Sequence, residues 1–185
     1  MRTMGRCALV AAAGLALTPV AASPAVQAGP TGFVVKREAA VKAPPARVYE
    51  ALVTKVGSWW DPKHTFSGDA RNLSIEARAG GCFCERLPGG GGVEHLRVVS
   101  VEPGKLLRLS GALGPLQSSG LAGSLTWKIA SAPGGGARVD LSYSVGGFME
   151  GGFDEIAPAV DAVLGAQLRR LALFAETGRP TEGGE

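Results

Sequence analysis

The sequence predicts an α+β fold: a curved antiparallel β-sheet of about six to seven strands wrapped around one long C-terminal α-helix, with short helices after the first strand. Three observations predict it. Short apolar-alternating runs between Leu73 and Val145 are separated by turns rich in glycine and proline. The last two of these runs can be set in register with agreement on both faces. A single segment near the C-terminus carries apolar residues at helical spacing, and a curved sheet must bury its concave face against such a partner.

The chain opens with a basic head (Arg2, Arg6), an apolar stretch from about Cys7 to Ala22, and small residues ending in Val26-Gln27-Ala28. That layout predicts a signal peptide over residues 1–28, cleaved before Gly29, and a secreted or periplasmic mature protein. Gly14, Thr18 and Pro19 interrupt the apolar run, which falls short of the roughly 20 residues of a membrane span. No stable membrane insertion is therefore expected. Cys7 precedes the apolar run, so it is not placed as a lipid-attachment cysteine. Cleavage leaves 157 of the 185 residues, and because Arg2 and Arg6 are the only charges removed, the net charge falls from +3 to +1. A nearly neutral chain without basic clusters has no electrostatic footprint for nucleic acid. One domain is expected over residues 29–177, followed by a disordered tail at 178–185.

A first strand is expected over about Phe33–Val41. In "APPARVYEALVTKVGSWW" two prolines pre-set a helix start, Val48, Leu52 and Val56 recur at helical spacing, and Gly57 is expected to stop the helix before Trp59-Trp60. Strands follow near Leu73–Arg78, Cys82–Leu87, Val93–Val101, Leu106–Ser110, Ser124–Ala130 and Arg138–Val145. With "APGGG" as a five-residue loop, Leu125 faces Tyr143, Trp127 faces Leu141 and Ile129 faces Val139, while Thr126 meets Ser142 and Lys128 meets Asp140 on the other side. "GGFMEGGFDE" forms a hinge into the helix at about Asp154–Thr177. Ile156, Val160, Val163, Leu164, Leu168, Leu171 and Phe174 make its apolar stripe, and Gly178-Arg179-Pro180 ends it.

This order of elements, with "VKAPPARVYEALV" leading into "WW", the "GG" that opens a strand, "VEPGKLLRL" and the terminal helix, resembles the START-like superfamily (SRPBCC, or helix-grip, proteins). Within it the chain is most similar to the bacterial branch related to activators of the heat-shock ATPase chaperone (AHSA-like). The resemblance covers about Phe33 to Thr177. It implies a cavity between sheet and C-terminal helix that takes a lipid, a polyketide or an aromatic metabolite, and it implies that loops at one end of the sheet frame the cavity entrance. Some members of the superfamily are cyclases or hydratases.

The stretch "GGCFCERLPGGGGVEH" concentrates the chemistry-bearing residues. Cys82 and Cys84 at i and i+2 of a regular strand lie about 6.6 Å apart at Cα, too far at Cβ for a disulfide unless a bulge intervenes. Half-buried free thiols are expected. Cys82, Cys84, His95 and a distant His64 are a poor zinc set, and neither a metal nor a cofactor is expected. Glu85 and His95 depend on the loop. A five-residue loop at Pro88–Gly92 pairs Glu85 with His95 in solvent and turns both cysteines inward. A four-residue loop at Gly89–Gly92 turns Phe83, Glu85, Leu87, Leu96 and Val98 inward and His95 outward. A two-residue turn at Pro103-Gly104, pairing Val98 with Leu109 and Ser100 with Leu107, slightly favours the second.

No catalytic residue is assigned; Glu85 and His95 are the candidates, with His64 a further acid–base histidine flanked by Asp61 and Asp69. For a ligand cavity the candidates are Trp60, Phe66, Phe83, Glu85, Leu113, Leu116, Trp127, Tyr143, Phe148 and Met149. Leu113 and Leu116 belong to the long apolar connection Gly111–Gly123, and Phe148 and Met149 to the glycine-flanked hinge. The expected partner is a small, largely apolar molecule. An acid–base enzyme of cyclase or hydratase type and a protein-interaction module are the alternatives. An oligomeric state is not legible.

Overall fold

The structure, a computed structural model, describes residues 25–181. Most of the segment read as a signal peptide, and the last residues of the tail, lie outside the described residues. Eight antiparallel strands form one sheet in the order β1-β2-β8-β7-β6-β5-β4-β3. They are β1 (Val26–Gly29), β2 (Gly32–Val41), β3 (Leu73–Ile75), β4 (Cys82–Arg86), β5 (Gly92–Glu102), β6 (Leu106–Ser110), β7 (Ala122–Ser131) and β8 (Ala137–Gly146). Helices α1 (Pro45–Thr54) and α2 (Val56–Trp59) follow β2, and α3 (Ile156–Thr177) closes the chain. This is the helix-grip arrangement with one strand more than expected. The extra strand, β1, pairs Val26 with Val35 and Ala28 with Phe33, so cleavage after Ala28 would remove most of it.

Gly57 does not end the helical region. The chain makes one more turn as α2, and Trp60 N–H donates to the Val56 carbonyl at 2.9 Å. Trp59 is thereby buried beneath the sheet, its indole N–H donating to the Ala51 carbonyl at 2.9 Å and its ring 6.2 Å from that of Trp127. The β7–β8 hairpin has the expected register, Leu125 opposite Tyr143, Trp127 opposite Leu141 and Lys128 opposite Asp140. Leu125, Trp127, Ile129, Val139, Leu141 and Tyr143 are all buried on the concave face.

The β4–β5 hairpin adopts neither expected loop. Arg86 pairs with Gly92, and Leu87 N–H donates to the Gly91 carbonyl, so the loop is Leu87–Gly91. It repeats the five-residue loop Ala132–Gly136 of β7–β8, with two consecutive left-handed glycines in each (Gly89 and Gly90; Gly134 and Gly135). The register then slips. Cys84 pairs with Glu94 but Phe83 pairs with Leu96, leaving His95 as the extra residue of a β-bulge. A bulge places two consecutive residues on one face, and His95 and Leu96 are both buried. His95 is thus inward, not outward, while Phe83, Glu85, Leu96 and Val98 face the core as expected. Leu87 stays half-buried in the turn.

The expectation of free thiols is overturned. The Cα atoms of Cys82 and Cys84 approach to 5.4 Å, and the two sulfurs form a disulfide on the outer face of β4. In the next hairpin Val98 pairs with Leu109 as expected. A second bulge, however, pairs Ser100 with Arg108 instead of Leu107 and leaves Val99 half exposed.

Helix α3 lies across the concave face. Ala157, Leu164, Gly165, Leu168, Leu171 and Ala175 are buried against the sheet, each large side chain contributing about 1.5–3 kcal/mol by leaving water. Arg37, inward on β2, pairs through Nε with Asp161 Oδ1 at 2.7 Å and so ties the sheet to the helix. The expected apolar stripe is split by this placement. Leu164, Leu168 and Leu171 are core, whereas Ile156, Val160 and Val163 are only half-buried.

Candidate functional site

The half-buried part of the α3 stripe does not face bulk solvent. It borders a cavity of about 340 Å³ between the first turns of α3, the β4–β5 bulge and two loops. One loop is Asp61–Asp69 and the other Gly111–Leu121. Trp60, Phe66, Leu73 and Phe83 line the sheet side, Ile156, Val160, Val163 and Leu164 the helix side, and Leu113 and Leu116 the second loop. Lys63 and His64 stand exposed at the mouth. The volume lies at the small end of the range for small-molecule sites, roughly 300–1,000 Å³, and the lining is mostly apolar as those sites are.

Both loops are fastened where they meet the cavity. Arg170 Nε donates to the Trp59 carbonyl at 2.7 Å, and Gln167 Oε1 accepts from the Asp61 amide at 3.0 Å, so α3 holds the start of the first loop. Asp61 then caps the turn that follows by accepting from Lys63 N–H at 3.0 Å, and Trp60 Nε1–H donates to the His64 carbonyl at 3.0 Å. Glu85 holds the far end, accepting from the Phe66 amide at 3.0 Å and the Ser67 amide at 2.5 Å. The second loop is held by Tyr143. Its hydroxyl accepts from Leu113 N–H at 2.7 Å and donates to the Gly111 carbonyl at 3.2 Å. Burial pushes that phenol up to about 12, so it keeps its proton. Gly123 makes the approach possible, because a Cβ there would meet the Gly111 carbonyl at 2.5 Å and the Tyr143 ring at 2.9 Å.

The polar feature of the wall is a buried Glu85–His95 pair. Glu85 is 2 % and His95 5 % exposed, and His95 Nε2 lies 2.9 Å from Glu85 Oε2. Burial by itself would raise the Glu85 carboxyl. The hydrogen bonds from Ser67, Phe66 and His95 together outweigh it and hold the group below the usual carboxylate value. Burial lowers His95, and the opposing hydrogen bond and charge of Glu85 do not restore it. The pair is therefore a carboxylate and a neutral imidazole at neutral pH. An ionised carboxylate only accepts, so Nε2 carries the imidazole hydrogen and Nδ1 is left with a lone pair. Nδ1 is buried and has no hydrogen-bond partner. Phe83 and Phe66 pack on the ring with centroids 5.1 and 5.7 Å away. Such a pair can accept a hydrogen bond, or take up a proton with the carboxylate stabilising the imidazolium.

Of the residues predicted from sequence, Trp60, Phe66, Phe83, Leu113, Leu116, His95 and His64 line the cavity. Glu85 stands one residue behind the wall, in contact through His95. Trp127 and Tyr143 belong to the core and to the anchoring of the second loop. Phe148 is 86 % exposed away from the cavity, and Met149 packs on the edge of the core. Val160 and Val163 are legible in the sequence only as part of the helix's apolar stripe, and Leu73 only as the start of a strand. Among the described residues no cluster of three His, Cys, Asp or Glu side chains could hold a metal ion, and no helix is long and apolar enough to cross a membrane.

A family model described as polyketide cyclase / dehydrase and lipid transport matches residues 33–176. Among solved structures, a conserved protein of unknown function from Enterococcus faecalis superposes with a TM-score of 0.59 at 16% identity, covering 83% of this chain and 77% of its own. DynU16, a protein of the dynemicin biosynthetic locus, gives a TM-score of 0.56 at 20% identity over 80% of this chain and 48% of its own. CalU16 from Micromonospora echinospora gives 0.53 at 17% identity over 85% and 84%. At these identities the likeness is one of fold. A search of curated proteins gives no match.

Proposed function

The chain belongs to the polyketide cyclase/dehydrase and lipid transport family, and on that premise we propose that it binds a small, largely apolar molecule in the cavity between the β4–β5 bulge and α3. The observation that carries the proposal is an apolar cavity of about 340 Å³ with one buried polar pair in its wall. Packed cores leave few voids larger than a water molecule, and cavities with a few placed polar groups are the ordinary form of a ligand site. The ligand class is that of the family, a lipid, a polyketide or an aromatic metabolite.

Export is part of the proposal: residues 1–28 act as a signal peptide and the mature protein resides in the periplasm or outside the cell. The Cys82–Cys84 disulfide supports an oxidising compartment. An exported chain does not meet a cytosolic, ATP-driven chaperone, so the chaperone-activator role of the AHSA-like branch is not transferred. The large exposed apolar side chains among the described residues, Phe66, Val99 and Phe148, sit on three different elements and do not favour a protein-binding face.

The Glu85–His95 pair supports a second reading, an acid–base enzyme. His95 would take a proton from a bound substrate at Nδ1 and return it to the same molecule at another atom, with Glu85 stabilising the imidazolium between the two steps.

Native mass spectrometry of protein taken from the export compartment tests the first reading. A bound organic mass that is lost on denaturation is expected, and the denatured mass also reports where the leader is cut. Protein that carries no ligand, and that takes up no apolar probe afterwards, would contradict it.

A further inference from the structure

We infer that the cavity selects molecules bearing a hydroxyl that donates to His95 Nδ1, phenols and enols above all. The inference rests on the reading of the cavity as a ligand site and names the chemistry that site prefers.

Glu85 sets the tautomer. Its oxygens accept from two backbone amides and from His95 Nε2, which leaves the neutral imidazole only Nδ1 to offer, as an acceptor. That nitrogen is unpartnered on a side chain 5 % exposed, in a ring that lines the cavity. Native structures pair nearly all buried polar atoms, and an exception calls for an explanation, such as a bound group or an ordered water. The neighbours of the ring cannot supply the donor. Phe83 and Phe66 have no donor to give, Trp60 Nε1–H is committed to the His64 carbonyl, and the Thr65 hydroxyl donates to the Pro62 carbonyl. The donor therefore comes from what occupies the cavity. Phe66 packs on the ring with its centroid 5.7 Å away and 57 % of its own surface in solvent. The carboxylate on the far side of the ring strengthens Nδ1 as an acceptor, as it does for histidines that serve as metal ligands. More acidic hydroxyls make the stronger bond.

The test is isothermal titration calorimetry of the whole mature protein with two probes of nearly equal shape, 2-naphthol and its methyl ether, 2-methoxynaphthalene. The ether keeps the oxygen and the apolar body but cannot donate. Naphthol is expected to bind at least about tenfold more tightly, since a buried site rejects the analogue that leaves its polar group unpaired. In His95→Phe that preference disappears while the ether still binds. A nitrogen-15 shift of His95 Nδ1 on adding naphthol, absent with the ether, gives the same answer in the unaltered protein should the variant fail to fold. Equal binding of both probes to the unaltered protein, or a preference that survives in His95→Phe, overturns the inference and leaves the ligand-site reading standing. If neither probe binds, the inference falls, and the ligand-site reading falls with it only if the protein also carries no ligand from the export compartment.

Discussion

Replacing Glu85 with alanine is expected to destabilise the protein by about 3–5 kcal/mol, because each buried donor left without its acceptor costs about 1–3 kcal/mol. Three donors lose their acceptor at once: the Phe66 and Ser67 amides and His95 Nε2–H. The His95 donor is buried and the two amides are partly buried, so water replaces the lost oxygens only in part. The loss is a large part of the roughly 5–15 kcal/mol that holds an ordinary domain together. It is also local in its consequences, because Glu85 is the far anchor of the Asp61–Asp69 loop. Urea unfolding followed by tryptophan fluorescence measures the first effect, and proteolysis within residues 61–69 the second. Glu85→Gln keeps one accepting oxygen and sets an NH2 group against the remaining donors, so an intermediate loss is expected. A change below about 1 kcal/mol for Glu85→Ala would mean that these donors reach solvent and that the carboxylate anchors nothing.

Stability is expected to fall in two steps as the solution is acidified. His95 has its proton affinity lowered by burial, below the ordinary histidine value of 6.5. Between that value and the folded one, the unfolded chain binds a proton that the native protein does not, so unfolding gains as the pH drops. Glu85 is also lowered, from 4.5. Its contribution is fully present above that value and is lost as the pH falls through the lower, folded one. The upper step therefore begins near pH 6.5 and the lower one below about 4.5. Urea midpoints measured from pH 8 down to about pH 2.5 should show both, and His95→Phe should abolish the upper step. A midpoint that holds constant between pH 7 and 5 would contradict the neutral, buried assignment of His95.

Periodicity made much of the fold legible. Alternation on both faces fixed the β7–β8 register, and three- and four-residue spacing located α3. The β4–β5 hairpin escaped because alternation assumes a regular strand, and a bulge breaks it without changing composition. His95 and Leu96 point the same way only because one residue is extra. A signal was available: "PGGG" occurs at Pro88–Gly91 and again at Pro133–Gly136, and the loop that suited the second suits the first. The two cysteines also lie closer together than a spacing taken from flat strands allows. The edge strand β1 was hidden by its position in a segment with the composition of a leader.

The site was legible on one side. Aromatic and loop residues stand out in the sequence because they look out of place as core, and Trp60, Phe66, Phe83, Leu113 and Leu116 do line the cavity. Val160 and Val163 are not legible as cavity wall, because the wall of an apolar cavity and a packed core call for the same residue types. Trp127 and Tyr143 offered polar tips that suggested ligand contacts. The Tyr143 hydroxyl is used up on the Gly111–Leu121 loop, and the Trp127 ring packs against Trp59 in the core.

A ligand in the space between the β4–β5 bulge and α3 would be visible directly. The most direct measurement is a crystal structure of protein purified from the export compartment without denaturation, refined far enough to separate water from organic density. Continuous density of an organic molecule beside Phe83, Val160 and His95, with a polar atom at hydrogen-bond distance from Nδ1, is the predicted result. A cavity closed by Phe66 and Leu116 turning inward, with His95 Nδ1 bonded to the protein itself, would contradict it.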